Sequence, residues 1–111
     1  EPEGAKDAWL GFKTGERLAA YNPNTIADGL RATLGERNFV AISENVDDIL
    51  LCSEEAIIEA MRLIWTRLKV IVEPSCAVPL AAIMEQPEQF QGKRTAIILT
   101  GGNVDLDTLP W

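Results

Sequence analysis

The run Thr95-Ala96-Ile97-Ile98-Leu99-Thr100-Gly101-Gly102-Asn103-Val104-Asp105 holds the residue types best suited to chemistry. An apolar stretch ends there on a hydroxyl and two glycines. In an open α/β sheet a strand end of this kind is where ligands sit. The neutral Thr100 hydroxyl and glycines that admit close backbone approach suit a flat, polar ligand. Taken alone, Gly101-Gly102 is also simply a tight turn. Thr25-Ile26-Ala27-Asp28-Gly29 is a second small-residue bend of the same ambiguity. The Glu1 and Asp7 carboxylates, read without context, are a solvated surface. Cys76, at the start of an expected helix, reads as a packing residue.

Composition removes several kinds of chemistry. The 111 residues contain no His, which excludes Ser-His-Asp and Cys-His catalysis and His metal sites. Two cysteines, Cys52 and Cys76, have no metal-ligand or CxxC spacing. Reduced thiols in a cytoplasm account for them most simply. A net charge of −7 argues against nucleic acid or an anionic membrane as partner. No apolar run is long enough to span a bilayer. With 47% hydrophobic and 24% charged residues, the chain is of ordinary globular composition.

The elements that must position these residues read as follows. A short helix is expected over 5–14, stopped by Gly15, and a loop over Tyr21–Asn24. A helix over 30–34 ends at Gly35, and another spans 38–46 with Phe39, Ile42 and Val46 on one side. Asp47–Cys52 reads as a short strand. Ser53 caps a helix over 53–69, whose Ile57, Met61, Ile64, Trp65 and Leu68 form one apolar face. Ser75 caps a second helix reaching about residue 85, with Pro79 in its first turn. Thr95–Leu99 is a strand buried on both faces, expected beside Ile49–Cys52 or another parallel strand. The order strand–helix–helix–strand implies an α/β fold.

Four segments in order resemble one family. Ile97–Leu106 looks like the strand and loop that close the cofactor site in pyridoxal-phosphate enzymes of the serine/threonine dehydratase and serine racemase family, hydroxyaspartate ammonia-lyases included. Glu1-Pro2-Glu3-Gly4-Ala5-Lys6-Asp7 matches its Glu-Pro-x-x-Ala-x-Asp pattern, with Lys6 where some relatives are acidic. Thr25–Leu30 resembles the loop along one cofactor edge. Glu73-Pro74-Ser75-Cys76-Ala77 resembles its Glu-Pro-Ser-Gly-Ala helix start, with Cys76 in place of Gly. The resemblance implies cofactor contacts from Thr100 to the pyridine nitrogen, from the Gly29 backbone, and from Glu73 near the ring edge. It also implies a divalent cation, Mg²⁺ or Ca²⁺, on Glu1, the Ala5 carbonyl and Asp7. A hydroxyl beside the ring nitrogen, unlike a carboxylate, does not hold it protonated, which suits β-elimination.

Two parts of the family pattern are absent. Lys6, Lys13, Lys69 and Lys93 are the lysines, and none lies in the Ser-x-Lys-x-Arg context of the family's Schiff-base lysine. No glycine-rich phosphate loop is present either. Residues 1–111 are therefore expected to form a single partial domain. It would be the C-terminal part of the large domain of a fold type II enzyme, with parallel strands and packed helices. The implied activity is that of an ammonia-lyase taking serine, threonine or 3-hydroxyaspartate to a keto acid and ammonia, with this chain inactive alone. A serine racemase-like enzyme and a non-catalytic assembly module are the alternatives. Expected partners are an amino-acid substrate, a missing N-terminal segment or chain, and a second copy in a homodimer.

Overall fold

Local signals make α3 (Glu54–Leu68) the organising element. Ser53 is extended, and its Oγ accepts the Ala56 amide at 3.1 Å. Glu54 and Glu55 follow in the first turn, where the helix dipole favours anions. The helix buries Ala56, Ile57, Ala60, Met61 and Ile64. Full burial of a side chain such as Ile57 or Met61 is worth about 1.5–3 kcal/mol. The helix stops where Lys69 turns left-handed at φ 60°. Leu68, expected on the apolar face, is the last residue of the helix and is 61% exposed.

The computed structural model describes all residues from Glu1 to Trp111. The second long helix, α4 (Pro74–Glu85), packs along α3 through Cys76, Ala77, Val78, Ala81 and Ala82. Its small side chains let the two backbones come close. Its N-cap is Glu73 rather than the expected Ser75, because Pro74 takes the first helical position, where its missing N–H costs nothing. Pro79 accordingly lies inside the helix, not in its first turn. It cannot donate to the Ser75 carbonyl, so that carbonyl is released from the helical ladder.

Three contacts fix this pair. Ser53 Oγ donates to Glu85 Oε1 at 2.5 Å, and the Ser53 amide donates to Glu85 Oε2 at 2.9 Å. Trp65 Nε1 donates to the Val72 carbonyl at 2.9 Å, drawing the interhelix link onto α3. Trp65 also meets Trp111 edge-on at 5.3 Å between ring centroids.

At the other end, α1 (Asp7–Thr14) stops at left-handed Gly15, and α2 (Glu36–Asn45) rests Phe39 against Gly11. The helix expected over 30–34 is instead one 3-10 turn, Asp28–Leu30.

Strand structure is sparse. Glu1 N donates to Leu50 O at 2.6 Å, Cys52 N to Glu1 O at 3.0 Å and Glu3 N to Cys52 O at 2.9 Å. These bonds make a short parallel pairing with one bridge, Pro2 to Cys52. The expected strand at Thr95–Leu99 pairs with nothing. Ile98 is 78% exposed and Leu99 39%, so the segment is not buried on both faces. An open slot of about 350 Å³, floored by Val78, Pro79 and Ala82, separates Asp48–Leu50 from Thr95–Ile97. An apolar run becomes a buried strand only when a neighbour supplies its ladder, and none of these residues does.

Candidate functional site

The first turn of α4 and the residue before it gather three loop amides. Ser75 Oγ accepts the Gly29 amide at 3.0 Å. Cys76 Sγ accepts the Thr100 amide at 3.2 Å. Glu73 Oε2 accepts the Asn103 amide at 2.9 Å, while the Glu73 amide donates to Gly101 O at 3.1 Å. Thus the Glu73 side chain does not cap its own helix; its Oε2 holds the glycine loop.

The glycines are needed for this approach. A Cβ on Gly101 would stand 3.0 Å from Glu73 Oε1, and one on Gly102 would stand 2.7 Å from the Ile71 carbonyl oxygen. The bend before Gly29 is fixed independently. Ile26 N donates to Glu54 Oε2 at 2.9 Å, and the buried Thr25 Oγ1 accepts Ala27 N at 3.1 Å. Arg31 closes the bend by donating Nε and Nη2 to Thr25 O at 3.0 and 2.6 Å.

These contacts border an open cavity of about 400 Å³. Its walls include Gly29, Glu73 and Thr100, the three residues singled out as cofactor contacts in the sequence, together with Ser75, Cys76 and Glu1. Leu30, Val78, Pro79 and Ile98 supply its apolar surface. Such a size, mainly apolar with a few convergent polar groups, is that of a small-molecule site, which typically spans about 300–1,000 Å³. The donors and acceptors fit a flat heteroaromatic ring: a neutral hydroxyl, a backbone edge at glycine, and apolar walls. No lysine lines the cavity.

Glu1 and Asp7, the two carboxylates expected at a cation site, both accept backbone amides. Glu1 Oε1 accepts Ala8 N at 3.2 Å and Oε2 accepts Trp9 N at 2.6 Å. It therefore caps α1, whose own N-cap Lys6 offers no side-chain bond. Asp7, buried, has Oδ2 taken by Leu34 N at 2.8 Å. No cluster of three or more His, Cys, Asp or Glu side chains is disposed to hold a metal. In this conformation both Glu1 carboxylate oxygens and Asp7 Oδ2 are engaged by backbone amides.

Burial raises the Glu1 carboxyl above its ordinary value, opposed by the Trp9 amide, the amino-terminal charge and the Ala8 amide, and aided by nearby Asp7. Burial likewise pushes the Cys52 thiol up to about 11, so at neutral pH it stays protonated. Its sulfur faces Glu1 O at 3.7 Å and Val78 O at 3.8 Å, which suits a thiol donor. Both cysteines are free.

Sequence reasoning does not reveal Ser75, Cys76 and Glu54 as holders of the cavity loops. For the first two, adjacency to Glu73 is the available signal. For Glu54, whose partner Ile26 is 28 positions away, there is none.

Comparison with known proteins bears directly on this cavity. A family model described as "Pyridoxal-phosphate dependent enzyme" matches residues 1–101. A beta-hydroxyaspartate dehydratase of Paracoccus denitrificans is 49% identical over 111 residues, covering 100% of this chain and 35% of that protein. A serine racemase of Dictyostelium discoideum is 44% identical, covering 98% of this chain and 35% of that protein. Among solved structures, the maize serine racemase superposes with a TM-score of 0.90 at 39% identity, covering 98% of this chain and 35% of that one. The chain thus spans about a third of the length of the curated relatives it matches. It has the fold of the corresponding part of fold type II pyridoxal-phosphate enzymes. With the family model spanning nearly its whole length and these relatives at such identity, the chain belongs to the pyridoxal-phosphate-dependent enzyme family.

Proposed function

We propose that this chain is the C-terminal part of the large domain of an ammonia-lyase. The enzyme would act on a β-hydroxy amino acid, with 3-hydroxyaspartate, serine and threonine as the substrate class. The observation that carries the reading is the convergence of Gly29, Glu73 and Thr100 on one cavity in a member of this family. The identity to a beta-hydroxyaspartate dehydratase supports the substrate class.

When bound, pyridoxal phosphate supplies the electron sink that stabilises charge at the substrate α-carbon. Thr100 would hold the ring nitrogen through a neutral hydroxyl. Glu73, a carboxylate at the same cavity, has its Oε2 held by the Asn103 amide. A hydroxyl at the ring nitrogen, unlike a carboxylate, would not hold it protonated, which suits β-elimination. Gly29 would present backbone to the cofactor edge, and Leu30 and Val78 would exclude water. The lysine that anchors the cofactor and moves the α-proton would come from the remaining two-thirds of the enzyme's length, or from a second chain.

A homodimer and a cytoplasmic location belong to the same proposal, the latter supported by the two free cysteines. Cation binding at Glu1, Ala5 and Asp7 is a further part of it. The electrostatic proximity of Glu1 and Asp7 supports it, and Glu1 would have to release the α1 amides. No helix is long and apolar enough to cross a membrane.

The test is turnover by the full-length protein. Incubation with 3-hydroxyaspartate, serine or threonine should yield keto acid and ammonia in equal amounts. A full-length protein that binds no pyridoxal phosphate would overturn the reading. The 44% identity to a serine racemase favours a second reading on the same scaffold, with the opposing acid supplied from outside this chain. Chiral analysis separates the two, because racemisation gives D-serine without ammonia.

A further inference from the structure

Between Thr95 and Thr100 the chain makes one hydrogen bond to the rest of the structure. It runs from the Thr100 amide to Cys76 Sγ at 3.2 Å. Every other backbone group of that segment lacks a hydrogen-bond partner in the chain. On the far side of Thr100, the loop is fixed by Glu73 through Gly101 O and the Asn103 amide. Cys76 is therefore the sole hydrogen-bonded anchor on the near side of Thr100, which lines the cavity. Cys76 is 1% exposed and belongs to the first turn of α4, so its sulfur is held in place by core packing on α3.

We infer that Cys76 is a positioning residue: its sulfur fixes the backbone of Thr100 and thereby the direction in which the Thr100 hydroxyl meets the cofactor ring. The inference rests on the proposed role of Thr100. Glycine at position 76 has no side chain to offer, so in its presence the orientation of residue 100 would have to be set by other contacts. Sulfur reaches farther than the oxygen of serine, whose shorter bond to Cβ leaves it more distant from the same amide. Serine, as the better acceptor, should recover part of the effect after a small loop shift.

The experiment uses the full-length holoenzyme with Cys76→Ala, Cys76→Ser, Thr100→Val and the Thr100→Val/Cys76→Ala double variant. For each, the absorbance maximum of the bound cofactor, its pH dependence and the cofactor dissociation constant are measured, with the thermal midpoint as a check on folding. Loss of one hydrogen bond should weaken cofactor retention about fivefold in Thr100→Val, with a shifted absorbance band. Cys76→Ala should move the band in the same direction and weaken retention about threefold. Cys76→Ser should fall between it and the parent.

In the Thr100→Val background, Cys76→Ala should add nothing, because the two act as one unit. Additive effects, or a Cys76→Ala spectrum identical to the parent while Thr100→Val is shifted, would overturn the positioning role and leave the Thr100 reading intact. A silent Thr100→Val overturns the reading of Thr100 itself, and the positioning role with it. If Cys76→Ala does not fold, Cys76→Ser carries the test: an unshifted band there, beside a shifted Thr100→Val, counts against the inference.

Discussion

The Gly29 amide donates to Ser75 Oγ at 3.0 Å across 46 positions of sequence, and a Cβ on Gly29 would stand 2.9 Å from that same oxygen. A side chain at residue 29 would therefore require Ser75 or the bend to shift. Gly29→Ala should push the bend away from α4 and widen the cavity wall. Overpacking of this kind costs about 1–3 kcal/mol, so cofactor retention by the full-length protein should fall about tenfold. Gly29→Ala/Ser75→Gly should regain part of it, read by cofactor titration.

Gly102 meets a harder obstacle, since the atom 2.7 Å from its absent Cβ is the Ile71 carbonyl oxygen, which is backbone. Gly102→Ala should lower the unfolding free energy by about 1–3 kcal/mol, measured by denaturant titration. An unchanged midpoint would show that the backbone at Ile71 yields freely.

Lys69 carries the reverse expectation. It holds a left-handed conformation at φ 60° at the end of α3 and is exposed. Lys69→Gly removes the Cβ penalty and should raise stability by about 1 kcal/mol in the same titration.

The pH dependence of stability has a definite sign at Glu1. Its folded-state pKa lies above its ordinary 4.5, so between those two values the folded protein binds more protons than the unfolded chain. Stability from this group therefore rises as pH falls through the folded value and is fully present below 4.5. Glu1→Gln should flatten that part of the stability–pH curve. The exposed Asp48 works the other way. Its Lys13 partner lowers its pKa, so its contribution holds above 3.8 and is lost as pH falls through the lower folded value.

Cys52 should resist alkylation. With its thiol pushed up to about 11 by burial and 1% exposed, it offers almost no thiolate at neutral pH. Iodoacetamide at pH 7 should label it only under unfolding conditions, as peptide mass mapping would show.

What the sequence discloses here follows the range of each signal. The α3 helix is legible because its cap, first-turn acids and apolar spacing are all local, and Ser53 Oγ does accept Ala56 N. The same spacing fails at Leu68, which ends the helix and is exposed. Ser75 resembles a cap, but Pro74 moves the helix start two residues earlier and frees its hydroxyl for Gly29. Thr95–Leu99 misleads because β-branched composition signals a strand without saying where its neighbours come from. The placing of Gly29, Glu73 and Thr100 at one cavity follows from ordered motifs. The sulfur and hydroxyl that hold those loops act across 24 and 46 residues, a distance no local pattern encodes.

The loop amides collected at the start of α4 also order the unfolding of this chain. The α3–α4 hairpin is local in sequence, whereas the bonds to Gly29, Thr100 and Asn103 close loops of 46, 24 and 30 residues. Long closures form late and open first. In hydrogen exchange the amides inside α3 and α4 should report the global opening. Those of Gly29, Thr100 and Asn103 should exchange together, earlier and at one common rate. The cavity is then a cooperative unit of its own, able to come apart and reassemble while the helical hairpin beneath it stays folded.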